Sequence, residues 1–431
     1  MLTAGSPRPS RYRVLDKTNP WRVWIISLLI AVMPLTFALP FKAKAVPMAV
    51  LFLLGIVMLA TDGDVRRIVR RAGVILLPAA VTFLFWIANV AGHGLAWREF
   101  DVASHVLVFL LIAVTFASPL RAGVIRIGFS ASAGVLGVVC LEQRYMEGIE
   151  RVYGLNNGFW GAIEFAMFML VLTLIAVVQA LRNDLRRRER VLHALFAALG
   201  LYGALLTQSR GPLLAFLPVF AALVLFRAHR TGRWRQSLVA LVLGVAVVGI
   251  AATTLHGEMM QRFAAVKNEV STYSEQDATG AVRERLEMWR AAGMAVVAHP
   301  LGGVGMNQFG EYSRSQIDQG RVNASVVRYD HPHSEYLEWA TTGGIPGLVL
   351  LLWLYGSALF WFGRRALHPD RGVAVPAAAG FATAAMYALC SLTDNVFYRA
   401  MPHSLYFFVT LGLAVYVARA IDDVAARPAG T

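Results

Sequence analysis

The sequence predicts an all-helical integral membrane protein with about twelve transmembrane helices. Of its 431 residues, 57% are hydrophobic and only 15% are charged, and the mean hydropathy is +0.56. A typical soluble domain carries about 25% charged residues, so a soluble globule is excluded. Apolar runs of membrane-spanning length, roughly 20 residues, recur along almost the whole chain.

The apolar runs divide the chain into spans and connecting segments. We place the spans at residues 21–40, 45–60, 73–91, 103–118, 122–141, 158–180, 191–207, 212–227, 237–256, 342–362, 373–393 and 402–420. The second, fourth and eighth are short enough for one of them to be re-entrant. No cleavable signal peptide is expected, because residues 1–20 are polar and basic and the first run lacks a small-residue cleavage site.

The distribution of positive charge predicts the orientation of the spans. With residues 1–20 and the tail 421–431 in the cytoplasm, 25 of the 40 Lys and Arg residues fall in cytoplasmic segments. Fifteen fall on the outer side, and eight of those lie in the long 257–341 loop, which the positive-inside rule discounts. The net charge of +14 therefore reflects topology, and no nucleic-acid partner is expected.

This topology divides the chain into five regions. They are a cytoplasmic segment 1–20, helices one to nine over 21–256, an outward helical loop 257–341, helices ten to twelve over 342–420, and a cytoplasmic tail 421–431.

Two features of the sequence count against a transporter. The chain contains no internal repeat, and the centres of the spans are nearly free of charge. Transporters commonly have repeats and keep ionisable groups along their pathway. A polysaccharide flippase or transporter is retained as the non-enzyme alternative.

The outward loop contains one clear helical pattern. Ala281–Ala298 reads as an amphipathic helix with Leu286, Trp289 and Met294 on its apolar side. It stops at His299-Pro300, before a glycine-rich LGGVG stretch that permits tight turns. Such a helix either lies on the membrane surface or acts as a lid that carries its arginines over a lipid-linked substrate.

Four arginines are candidate phosphate ligands. Arg210 is the only charge in a short outward turn, 207–212, which opposes the positive-inside bias. A guanidinium offers a rigid fork of donors that suits phosphate oxygens, although an arginine at a span end also simply snorkels. The same chemistry applies to Arg283, Arg285 and Arg290 in the loop helix, where Arg283 and Arg290 share a face and Arg285 is offset.

His333 is the strongest candidate base, because histidine titrates near neutral pH and accepts a proton from a hydroxyl. The alternative is a histidine that caps the tenth helix. A zinc site of Asp330, His331 and His333 is weakly supported, since proline interrupts the histidine pair. Asp394, at the outward end of the eleventh span, would orient a histidine or an arginine, or cap a helix. The Asp62-Gly63-Asp64 pattern, similar to a nucleotide-sugar DxD motif, is interpreted as cytoplasmic turn chemistry.

Together these patterns resemble the bacterial O-antigen ligase family, which shares a domain with O-antigen polymerases and some protein O-oligosaccharyltransferases. The resemblance extends over essentially the whole chain. The matching patterns are SRG at 209–211, ERLEMW…HPLGGVGMNQF within 284–309, His333-Ser334 followed after nine residues by Gly344-Ile345-Pro346-Gly347, and Asp394 before the last span.

The resemblance implies a GT-C-type glycosyltransferase of lipopolysaccharide biosynthesis in the bacterial inner membrane. The donor would be O-antigen on undecaprenyl diphosphate, and the acceptor a hydroxyl of lipid A–core oligosaccharide. The transfer would be metal-independent, without a cofactor, on the periplasmic face. An O-antigen polymerase and a protein O-oligosaccharyltransferase remain alternatives. Which sugars are joined, which hydroxyl accepts and the oligomeric state stay open.

The resemblance also implies roles for individual residues. Arg210 and Arg285 match the arginines that hold the diphosphate, with Arg283, Arg290 and His331 as further candidate contacts. His333 matches the essential histidine, which acts either as a base or as a cation that binds phosphate. Asp394 matches an acidic position near the last periplasmic loop. Activity that rises with pH through about 6–7 fits a base, and falling activity fits a cation.

Overall fold

The protein is an all-helical, multi-pass membrane protein, as the sequence predicts. The computed structural model describes residues 20–40, 42–155, 158–159, 161–254 and 280–427, and all regular elements within these ranges are helical. Eleven of the described helices are long and apolar enough to cross a membrane. A helix satisfies its own backbone hydrogen bonds, which is why apolar runs of this length adopt it in lipid.

The helices are numbered here in chain order. They are α1 Pro20–Ala38, α2 Lys42–Thr61, α3 Gly63–Arg71, α4 Gly73–Gly92, α5 Asp101–Ala113, α6 Ala122–Tyr145, α7 Ala162–Ala180, α8 Arg187–Leu206, α9 Arg210–Thr231, α10 Trp234–Thr254, α11 Ala281–Ala298, α12 Phe309–Asp318, α13 Glu335–Ala366, α14 Arg371–Cys390 and α15 Ala400–Ala425. Short 3₁₀ turns, Trp97–Phe100 and Val114–Ala117, extend α5 at both ends. A third, Ala324–Val326, lies in the outward loop.

One predicted span stays a prediction, and one described helix was not predicted. The predicted ninth span, 237–256, falls on α10, which is not among the eleven spans; residues 255 and 256 lie outside the described residues. α3 is a short amphipathic helix between spans. Its cap is Asp62, whose carboxylate accepts hydrogen bonds from the Asp64 and Val65 amides. The Asp62-Gly63-Asp64 pattern is therefore a helix cap.

The centre of the bundle is formed by α7, α14 and α15. In these helices 78%, 72% and 72% of the apolar stretch is buried inside the protein, against 22% in α2. Helices α14 and α15 pack against each other, and both contact α7. The segment that joins α14 to α15, residues 391–399, consequently emerges at the middle of one end of the bundle.

Helix α13 extends further toward the N-terminus than the predicted tenth span, which starts at residue 342. Helix α13 begins at Glu335, directly after His333-Ser334, and continues through a kink at Gly344 (φ 67°, ψ −165°). Glu335 and Glu338, which the sequence analysis left in the 257–341 loop, thus occupy the first turns of a helix and are only 2% and 8% exposed. The polar, glycine-containing start of this helix hid it from a hydropathy pattern.

The kink is stabilised by the glycine-rich loop that follows α11. Pro346 has no N–H, so the Thr342 carbonyl lacks its helical donor and accepts instead from the Gly305 amide at 3.1 Å. The Val304 amide donates to the Thr341 carbonyl (2.9 Å) in the same way. Gly344 requires its glycine, because a Cβ there would lie 2.6 Å from the Pro300 carbonyl oxygen. The LGGVG loop at residues 301–305 and the kink at Gly344 therefore pack directly against each other.

In the loop between α10 and α13, the described residues from 280 onward form a small helical subdomain. Helix α11 has the predicted bounds, Ala281–Ala298. Its contacts with α12 and the 3₁₀ turn Ala324–Val326 are made by Met288, Ala291 and Ala292. Of the predicted apolar side, Met294 packs beside this cluster, whereas Trp289 is 37% exposed. Small alanines allow the close approach, whereas the Trp289 indole donates to the Pro332 carbonyl (3.0 Å). The helix is packed against protein.

Candidate functional site

His333 and Asp394, 61 residues apart in sequence, form a hydrogen-bonded pair. The distance between His333 Nδ1 and Asp394 Oδ1 is 3.2 Å, and the side chains are 23% and 7% exposed. The start of α13 is fixed to the end of α14, because the Glu335 amide donates to the carbonyl oxygens of Ser391 (2.9 Å) and Asp394 (3.2 Å). His333 has φ +49°, a conformation that a residue other than glycine adopts only when its surroundings hold it.

The Asp394 carboxylate is suited to orient the histidine ring. Burial alone would raise the pKa of Asp394, but the hydrogen bond and charge of His333 and the amide of Asn395 (2.9 Å) bring that pKa below its usual value. Asp394 is therefore ionised at neutral pH. In the neutral tautomer that donates Nδ1–H to this carboxylate, the lone pair of His333 is on Nε2. Nε2 is then the atom able to accept a proton.

His331 is a neutral ring that packs beside this pair. Its centroid lies 4.4 Å from that of His333 and 4.7 Å from that of Tyr398. Burial, followed by the neighbouring His333 charge, lowers the pKa of His331 to about 4. Asp330 pairs with Arg314 at 3.0 Å. His331 therefore packs against the rings of His333 and Tyr398, whereas Asp330 forms an ion pair with Arg314.

The turn that carries Arg210 lies against the Asp394 segment. Arg210 is the first residue of α9 and is half-buried. The preceding Ser209 hydroxyl donates to the Ala162 carbonyl at 3.1 Å, which fixes the turn to α7. A Cβ built on Gly211 would lie 2.9 Å from Thr393 Oγ1. The arginine turn thus contacts the residue that precedes Asp394.

The three arginines of α11 fall on different sides of the helix. Arg285 lies one turn before Trp289, whose indole contacts Pro332 next to His333, and residues four apart share a face. Arg290 instead pairs with the fully buried Glu287 (3.5 Å). Arg283 is two positions from Arg285, about 200° around the helix. Arg285 therefore shares the helix face of Trp289, whereas Arg283 and Arg290 lie on other faces of α11.

Sequence reasoning missed a supporting contact from the same helix. The Glu284 carboxylate accepts from Arg328 Nη2 (2.9 Å) and from the Tyr329 hydroxyl (2.5 Å). The Tyr329 ring lies 5.5 Å from the His333 ring. Glu284 therefore positions an aromatic neighbour of His333. No sequence pattern marks this contact, because its partners are 44 and 45 residues away.

A cavity of about 700 Å³ lies on the other side of the 391–399 segment. We call it the acidic cavity. It is bounded by α4, α5 and the first turns of α13 and α15, and its lining includes Glu335, Glu338, Asn395, Arg399 and His403. The spacing of Glu335, Glu338 and Thr342 follows one helix face, a signal that the misplaced start of α13 concealed. The cavity is a second candidate functional site at this end of the bundle.

Two charged groups of this cavity have internal partners. Glu335 accepts from the Trp339 indole (2.6 Å) and the Phe397 amide (3.0 Å). Arg399 pairs with Glu164 at 3.1 Å and donates to the Phe159 carbonyl at 2.7 Å. These contacts fix the 391–399 segment between the His333–Asp394 pair and the acidic cavity. Tyr398, on the cavity wall, also contacts the His331 ring.

Comparison with known proteins supports the predicted resemblance. The model of a family described as O-antigen ligase matches residues 195–352, a stretch that includes Arg210, Arg285 and His333 and ends before Asp394. An uncharacterized protein of Haemophilus influenzae is 23% identical over 276 residues, which cover 62% of this chain and 66% of that protein. The chain thus aligns with just under two thirds of that relative. The resemblance found from four short patterns is confirmed at the level of the family domain.

Proposed function

We propose that this protein is an O-antigen ligase with a GT-C-type mechanism. It transfers a polysaccharide from undecaprenyl diphosphate to a hydroxyl of lipid A–core oligosaccharide, at the periplasmic face of the inner membrane. The observation that carries the proposal is the His333–Asp394 pair (3.2 Å), which adjoins the Arg210 turn at one end of the bundle. Two of these three residues lie in the stretch that matches the family domain.

The residues have the chemistry that the transfer requires. His333 Nε2 accepts the proton of the acceptor hydroxyl, and the hydroxyl oxygen attacks the anomeric carbon. The bond between that carbon and the diphosphate oxygen breaks, and its electron pair leaves with the diphosphate, so the configuration inverts. Arg210 and Arg285 stabilise the charge that grows on the leaving group, as fixed donors do in a site of low dielectric.

The outward orientation of this site rests on the charge distribution. Seven Lys and Arg residues lie in the short segments on the side of His333, against 25 in the opposite segments. This asymmetry is the one expected when the 25 face the cytoplasm. The substrates of the proposed reaction would then reach the site from the periplasmic side, where lipid-linked polymers are joined to the core.

A deletion strain tests the proposed function. A ligase predicts loss of surface O-antigen together with accumulation of full-length polymer on undecaprenyl diphosphate, because polymerisation continues without its final transfer. Accumulation of single lipid-linked repeat units would instead identify a polymerase and reject the proposal. Complementation with the wild-type chain should restore surface O-antigen, and complementation with the His333→Ala variant should not. The comparison shows whether the phenotype depends on the site itself or only on a folded protein in the membrane.

A further inference from the structure

The acidic cavity gathers polar side chains whose hydrogen-bonding atoms have no partner in the described part of the chain. The atoms are Thr82 Oγ1, His105 Nδ1, Glu338 Oε2, His403 Nδ1 and both amide atoms of Asn395. Thr82, Glu338, Asn395 and His403 are at most 8% exposed. Asn395 faces Glu338, yet the two do not reach hydrogen-bonding geometry. Buried polar groups of this kind are normally satisfied by a ligand or by water.

The chemistry of these groups selects a ligand rich in hydroxyls. A carboxyl group accepts hydrogen bonds, and an amide, a neutral imidazole and a hydroxyl both donate and accept. Sugar hydroxyls offer both functions and match this mixture. Much of the remaining lining is aromatic, with Trp86, Trp339 and Phe407 among it, and provides apolar surface for the C–H faces of a sugar ring. Pockets for small ligands combine these two kinds of surface.

Charge and polarity argue against the other occupants of such a cavity. The lining contains the acidic residues Glu99, Asp101, Glu335 and Glu338. The one arginine among its described residues, Arg399, is paired with Glu164, so the lining offers a phosphate acidic side chains and an arginine that is already engaged. A lipid chain would leave the buried polar atoms without partners, which costs free energy for each of them.

We propose that the acidic cavity is a carbohydrate subsite, in which Glu338 and Asn395 bind sugar hydroxyls. Asn395 follows Asp394 directly in the chain. A sugar held by Asn395 therefore lies beside the His333–Asp394 pair and on the opposite side of the 391–399 segment from Arg210. This proposal rests on the proposed function only for the choice of saccharides. The sugar comes either from the lipid A–core acceptor or from the O-antigen donor.

Saccharide binding to the full chain in nanodiscs tests the subsite without any transfer reaction. One probe is core oligosaccharide freed of lipid A, and the other is O-antigen oligosaccharide freed of its diphosphate. Tryptophan fluorescence reports binding because Trp86 and Trp339 line the cavity. The variants are Glu338→Gln and Asn395→Ala. The control is Glu142→Gln, an exposed carboxylate at the end of α6.

We expect at least tenfold weaker binding of one of the two saccharides in both cavity variants and unchanged binding in the control. Which saccharide responds identifies the source of the sugar. The thermal unfolding midpoints should not fall, because Asn395→Ala removes buried polar atoms that have no partner, and Glu338→Gln replaces an ionisable buried group by a neutral amide of the same shape. Binding of neither saccharide by the wild type, equal binding by all variants, or weaker binding that accompanies a lower unfolding midpoint would overturn the subsite.

The same variants separate this proposal from the ligase proposal. In a transfer assay with core acceptor, an acceptor subsite raises the KM for the acceptor with kcat retained, and pyrophosphate binding stays unchanged. If the wild type binds saccharide as expected but transfers none to the core, the ligase proposal fails and the subsite stands. If transfer occurs with wild-type KM values for donor and acceptor in both variants, the subsite fails and the ligase proposal stands.

Discussion

The two sides of the 391–399 segment differ in charge. On one side, Asp394 is hydrogen-bonded to His333 and the neighbouring turn carries Arg210. On the other side, Glu335 and Glu338 face a cavity whose single arginine is already paired. Cationic donors suit a diphosphate, and carboxyl groups suit sugar hydroxyls. Under the two proposals, one short segment keeps the anionic leaving group apart from the sugar, while both lie near His333.

Replacement of His333 by Ala should have the largest effect. It should act on the side of the segment that contains the His333–Asp394 pair, which we call the chemical side. We expect transfer to fall by about 10²–10⁴-fold, the usual contribution of a positioned base, with saccharide binding in the cavity unchanged. The measurement is the rate of polymer transfer by purified protein in nanodiscs. His229→Ala, an exposed histidine at the other end of the bundle, is the control. Full activity of His333→Ala would remove the histidine from the mechanism.

Replacement of Arg210 should affect the same side somewhat less. We expect Arg210→Ala to lower kcat by about 10²-fold, as loss of one fixed donor to a developing anion does. Arg210→Lys should recover only part of this, because an ammonium lacks the planar fork. Exposed Arg235→Ala serves as the control. The helix register predicts that Arg285→Ala has a larger effect than Arg290→Ala, and the reverse order would contradict the proposed position of Arg285.

Replacement of Gly344 by Ala should disturb both sides together. α13 carries Glu335 and Glu338 in its first turns and follows His333 directly, and Gly344 has φ 67° and no room for a Cβ. We expect a loss of about 3 kcal/mol in stability, seen as a lower unfolding midpoint and weaker binding of saccharide and pyrophosphate. Gly293→Ala, a helical glycine with open space around it, should be neutral or stabilising. Equal midpoints for the two variants would show that the kink is dispensable.

The fourth prediction is a change in stability with pH that arises from His331 and develops only under acidic conditions. Its folded pKa of about 4 lies below the ordinary value of 6.5, so between these values the unfolded chain binds more protons than the folded one. Stability should therefore fall as pH decreases from about 6.5 to 4, by up to about 3 kcal/mol. Unfolding midpoints of the wild type and of His331→Phe, measured across this range, should converge at low pH. Parallel curves would exclude His331 as the source.

The sequence predicted the components of the chemical side better than those of the cavity. Arg210, His333 and Asp394 could be selected because each is an ionisable residue at a span end in a chain with few others. The cavity could not be predicted, because a hydropathy pattern placed the start of α13 after Glu335 and Glu338. The kink that brings these carboxylates inward depends on hydrogen bonds from a loop about 40 residues earlier. The preference for Arg285 over Arg283 and Arg290 came from the resemblance, and the contact between Trp289 and Pro332 adds a structural argument for it.

Reconstituted transfer is the most direct test of the ligase proposal. Purified protein in nanodiscs would be supplied with O-antigen on undecaprenyl diphosphate and with lipid A–core lacking O-antigen, in the presence of a chelator. We expect polymer joined to the core and an equal amount of undecaprenyl diphosphate released, with both rates lowered by at least about 10²-fold in His333→Ala. Longer lipid-linked polymer with unmodified core, or no covalent product from wild-type protein that binds both substrates, would contradict the proposal.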